Sequence, residues 1–157
     1  MENGNHKKLQ EAIIQNSNSD EWVEAKMEWQ LENIYQEKGR QCVCGKKIKN
    51  ICKLLNIHNG NRMEVGNKCV KNFLGITNGD AVFRAINRCY NDLTASMGKD
   101  AFEFMVVQSS KMESYSDCKF TDWDIKFYKD TYRKKKLSDK QENFRKKINK
   151  KFLKHTV

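Results

Sequence analysis

Gln41-Cys42-Val43-Cys44-Gly45-Lys46-Lys47-Ile48, with Val65-Gly66-Asn67-Lys68-Cys69 downstream, is the segment from which the rest of the chain is best understood. Zinc takes four ligands in a tetrahedron, and thiolates are its commonest structural partners. Cys42 and Cys44 stand one residue apart and are followed by Gly45. That is tighter than the usual knuckle of roughly two to four intervening residues. Gly45 helps, because a glycine lets backbone amides turn toward the sulfurs and offset their charge. Cys52 falls within a predicted strand, and Cys69 sits at a predicted helix start, where the helix dipole favours a thiolate. The set Cys42, Cys44, Cys52 and Cys69 is expected to hold one structural Zn²⁺. His58 is the rival for one of the four places, and four ordinary buried thiols are the alternative to any metal.

Local patterns extend from this core. Ile48 to Ile57 reads as a strand, His58-Asn59-Gly60-Asn61 contains the Asn-Gly pair of hairpin turns, and Arg62 to Val65 is the returning strand. A short helix opens near Asn67, carries Cys69, Val70, Phe73 and Leu74, and ends at Gly75. Upstream, Ser19 or Asp20 can cap a helix running to about Glu37, because Val23, Met27, Leu31 and Ile34 recur at helical spacing. Downstream, Asp80 can cap a helix with the stripe Val82, Ile86, Cys89, Leu93 and Met97. On that stripe Cys89 reads as a small buried hydrophobe. Phe102 to Val107 fits helix or strand equally. Thr121 or Asp122 caps a further helix, and Ser138 with Gln141 has capping-box spacing for a last one, with Leu137, Phe144, Ile148 and Phe152 on one face.

A knuckle, a hairpin and a ligand at a helix start form the outline of a treble clef. On Cys42, Cys44, Gly45, Ile48, Cys52, Val65, Gly66 and Cys69 the chain resembles treble-clef-like zinc-binding modules of uncharacterised bacterial, phage and giant-virus proteins. The resemblance covers about residues 41–75 and departs from the common pattern in its one-residue knuckle and in Cys52, where many relatives have His. It implies a zinc site and says almost nothing about activity. The expected fold is α+β and mostly helical, with a small zinc-bound hairpin embedded in one domain, 1–157. Its parts are a helical arm at 1–39, the zinc module at 40–76, and a helical region at 77–157 ending in a basic helix.

Composition narrows the function classes. No run of about 18 apolar residues occurs, so no membrane span is expected. The first residues have no apolar run behind them and do not read as a secretory signal, so a reducing compartment, the cytoplasm or a host nucleus, is expected. In such a compartment the six cysteines read as metal ligands and buried thiols rather than disulfides. Net charge is +10 and sits in two blocks. Residues 40–75 carry eight basic side chains against one acidic, and residues 133–157 carry eleven against two. Such blocks suit a polyanion, and solubility is the simpler use.

The chain has three histidines, and none of the common phosphate-loop or nucleophile motifs stands out, so it is not read as an enzyme. The expected activity is contact with nucleic acid, DNA or RNA, through phosphate-directed cations: Lys46, Lys47 and Lys53 beside the hairpin, and Lys134, Lys135, Arg145, Lys146 and Lys150 in the tail. Phe120, Trp123, Phe127, Tyr128 and Tyr132 precede the tail block. They read as core for the tail helix or as stacking surfaces for bases. The alternative is a protein-interaction module, such as a mobile-element inhibitor docking on nucleic-acid machinery.

Overall fold

The computed structural model describes residues 4–74 and 78–157. Among the described residues are seven helices and one antiparallel sheet of three strands, and 53% of those residues are helical, so the α+β class holds. The chain divides into two compact units, one ending at Gly79 and one running Asp80–Val157.

The first unit comprises α1 (Gly4–Gln15), α2 (Trp22–Met27), β1 (Trp29–Gln41), β2 (Lys47–Asn56), β3 (Arg62–Gly66) and α3 (Asn67–Leu74). Strand order follows the sequence, β1-β2-β3. The hairpin of β2 and β3 forms where expected, with Cys52 opposite Val65 and Ile51 opposite Gly66. Gly75, expected to end α3, lies outside the described residues, as does the Phe73 side chain.

The long helix expected to run to about Glu37 does not form. Only Trp22–Met27 is helical, and its apolar residues Val23 and Met27 are 68% and 74% exposed. Glu28 stops it. The Glu28 carboxylate accepts hydrogen bonds from the backbone N–H groups of Asn18 and Ser19, and from Asn56 Nδ2 at 3.0 Å. Trp29 then enters β1 and pairs with Asn56. A bulge between Leu31 and Asn33 shifts the register, so that Leu31 faces Leu54 while Ile34 faces Cys52. Trp29, Leu31 and Ile34 therefore share one face despite uneven spacing, and an inserted residue has disguised strand alternation as helical periodicity. That face continues through Leu54, Met63 and Val65, which are all buried. Leu9 and Ile13 of α1 are fully buried, and Asn16 at its end accepts hydrogen bonds from Asn59 and Asn61 of the β2–β3 turn.

The second unit holds α4 (Asn78–Asn91) from Asp80 onward, α5 (Gly98–Ser110), α6 (Asp122–Thr131) and α7 (Asp139–Thr156). The ambiguous 102–107 segment is helix. Both expected caps form as full capping boxes, Thr121 with Asp124 and Ser138 with Gln141. The core draws on Val82, Phe83, Ile86, Met105, Tyr128, Ile148 and Phe152. One polar network runs through it: Tyr128 Oη accepts from the Met97 N–H at 2.8 Å and donates to Asn149 Oδ1 at 2.7 Å. Asn149 Nδ2 in turn donates to the carbonyls of Leu93 and Ala95.

Candidate metal centre and basic surfaces

The knuckle is the turn that joins β1 to β2. The Cys42 N–H donates to the Lys46 carbonyl and the Gly45 N–H to the Cys42 carbonyl, each at 2.8 Å. Gly45 adopts φ 98°, a conformation open to glycine and strained for other residues. This turn sets Cys42 and Cys44 side by side. The β2–β3 hairpin then returns the chain so that Cys69, in the first turn of α3, reaches the same point. The sulfurs of Cys42, Cys44 and Cys69 lie within 4.8 Å of one another, with Cys42 and Cys44 buried and Cys69 half-buried. Two ligands about 2.3 Å from a tetrahedral zinc are roughly 3.8 Å apart, so sulfurs within 4.8 Å of one another are close enough that one metal ion could be shared among them.

The sulfur chemistry agrees. Cys42 Sγ accepts backbone N–H groups from Gly66 at 3.2 Å and Cys44 at 3.5 Å. The Cys69 thiol beside it donates to the same sulfur, and together these donors bring Cys42 down to about 5. Cys69, as the donor, is pushed up. One thiolate is thus stabilised before any metal arrives, which is what a cation site needs. A side chain at Gly66 would crowd Ile48 rather than Cys42. A Cβ there would stand 3.0 Å from the Ile48 side chain and 3.9 Å from Cys42 Sγ.

The other two expected or rival ligands are not in this group. Cys52 sits on the packed face of the sheet, fully buried, paired across the strands with Ile34 and Val65. Its Sγ lies 3.9 Å from Asn67 Oδ1, toward which the thiol can donate. His58 lies in the β2–β3 turn, at the end of the hairpin remote from the knuckle, beside Asn18, Ser19, Glu24 and Glu28.

The cations fall into different roles. Lys46 and Lys47 are exposed at the knuckle, and Lys53 is half-buried on β2. Arg40 and Arg62 of the same block are paired with Glu64 and Glu32. In the tail, Lys134, Lys135 and Lys150 are exposed and Lys146 is half-buried, while Lys151 and Lys154 pair with Asp124 and Asp117. Arg145, expected among the outward phosphate contacts, is instead 3% exposed. Its guanidinium donates to the carbonyls of Thr94 and Thr131 and lies 5.5 Å from the Tyr128 ring centroid. The spacing explains this: the buried face of α7 is Arg145, Ile148, Asn149, Phe152 and Thr156, so Arg145 falls on the inner stripe and Phe144 beside it.

The aromatic residues divide as well. Phe120 and Tyr128 are core. Trp123 is 52% exposed, stacked on Phe127 with centroids 5.2 Å apart and edge-on to Phe144 at 4.7 Å. Lys147 Nζ stands 6.0 Å from the Phe144 ring. No helix is long and apolar enough to cross a membrane among the described residues. Comparison with known proteins finds no matching family model, curated sequence or solved structure.

Proposed function

We propose that this protein is a zinc-stabilised module that binds single-stranded nucleic acid through phosphate-directed lysines and an exposed aromatic platform, without catalysing a reaction on it. The observation that carries the reading is Trp123. A tryptophan half open to solvent and stacked on Phe127 offers a base a ring, and Lys147, 6.0 Å from the Phe144 ring that Trp123 meets edge-on, offers a cation for its phosphate. In the first unit the exposed Lys46 and Lys47 supply a second cationic surface. Zinc serves the fold there: Cys42, Cys44 and Cys69 hold it, and the buried thiol of Cys52 packs the sheet.

Binding of a labelled single-stranded oligonucleotide, followed by fluorescence anisotropy across a salt series, tests the reading. Affinity should fall linearly in logarithmic coordinates as salt rises. Trp123→Ala should weaken binding by roughly 1–3 kcal/mol at every salt concentration, the usual worth of one stacked base. If neither DNA nor RNA is retained near 100 mM salt, a typical moderate condition, nucleic-acid binding is wrong and a protein partner for the same surfaces is favoured.

A further inference from the structure

Arg145 is a buried cation with no carboxylate partner among the described residues. Two of its N–H groups reach backbone carbonyls, and its Nε is buried without any hydrogen-bond partner. An unneutralised guanidinium in a protein interior is costly, and the Tyr128 ring offsets only part of that cost. The same side chain is one wall of a cleft of about 320 Å³, whose other walls are Thr94, Lys135, Lys136, Leu137 and Glu142. That volume lies at the lower end for small-ligand clefts.

The charges lining the cleft select the ligand. Lys135, Lys136 and Arg145 are positive and Glu142 is negative, leaving an excess of two positive charges. A phosphate diester carries one negative charge, whereas a phosphate monoester carries about −1.5 to −2 near neutral pH. Of these two, the monoester balances the excess. Its oxygens can accept from lysine ammonium and guanidinium N–H groups alike.

We propose that this cleft binds a phosphate monoester dianion. On the nucleic-acid reading, from which the inference takes only its ligand source, the monoester is the terminal phosphate of a strand. A free nucleotide or inorganic phosphate offers the same chemistry.

The test uses the full chain and the side-chain Nε–H resonance of Arg145. Inorganic phosphate and a 5′-phosphorylated oligonucleotide should each shift that resonance, and the same oligonucleotide ending in a hydroxyl should not. Lys135→Gln together with Lys136→Gln changes two exposed residues and should weaken phosphate binding by about tenfold or more, the expected loss of charge-assisted hydrogen bonds. A chain that binds inorganic phosphate with the Arg145 shift but holds neither oligonucleotide supports the cleft and refutes the nucleic-acid reading. A chain that holds both oligonucleotides with Arg145 unmoved keeps that reading and overturns the cleft. Unchanged phosphate affinity in the double variant overturns it too.

Discussion

Cys42 shows how little chemistry is needed to favour a thiolate. Two backbone N–H groups and the Cys69 thiol converge on one sulfur, and the charged form becomes the stable one near neutrality. An unfolded thiol ionises at about 8.5, while folded Cys42 does so at about 5. Folding therefore favours the thiolate. The stability this contributes is complete above the unfolded value and lost as pH falls through about 5. Cys69 acts in the opposite sense, since its thiol is needed as donor and resists ionisation at alkaline pH. Metal-free, reduced protein should thus be most stable near the ordinary thiol range and lose stability on either side. Thiolate absorbance in the ultraviolet should show one cysteine ionising near pH 5, and Cys42→Ser should abolish that step. A titration in which every thiol ionises in the ordinary range would remove the electrostatic basis of the site.

Among the elements, the hairpin and the two capped helices were legible because their signals are local: an Asn-Gly turn, and side chains that close capping boxes three residues away. β1 was not, because its bulge converts a period of two into spacing that mimics a helix. Three of the four expected ligands meet, since the knuckle and the helix start are also local features. The placement of Cys52 depends on strand register and on which face of the sheet is packed, and the spacing of cysteines alone does not encode these. Nor did the lysine-rich run around Arg145 reveal that this one cation lies on the inner stripe of α7. The Tyr128 network that crosses the same helix gives a measurable consequence. Tyr128→Phe removes the hydroxyl that serves both the Met97 N–H and Asn149 Oδ1, leaving two buried polar groups without that partner. At about 1–3 kcal/mol for each buried unsatisfied group, the variant should lose roughly 2–6 kcal/mol in urea unfolding. A loss below about 0.5 kcal/mol, within the range of ordinary surface changes, would mean that water replaces the hydroxyl.

At the scale of the molecule, the contacts define two units whose stability rests on different physics. The unit ending at Gly79 has a three-stranded sheet, short helices and the cysteine triad. Asp80–Val157 has an apolar helical core threaded by the Tyr128 network, and none of its described residues belongs to the triad. A small fold with a limited core gains most from a metal, because binding free energy becomes folding free energy. Structural zinc contributes roughly 10–16 kcal/mol in isolated zinc-finger peptides, more than the whole stability of many domains. On the zinc reading proposed above, stripping the metal should therefore act on one unit. Hydrogen exchange measured with and without a strong chelator should show amides of β1, β2, β3 and α3 losing most of their protection. Those of α5, α6 and α7 should keep theirs to within about tenfold, a change of about 1.4 kcal/mol. Protection unchanged in the sheet would mean that the three thiols do not hold a stabilising metal. Equal loss in both units would mean that the chain unfolds as a single cooperative body, with the metal supporting the helices as much as the strands that carry its ligands.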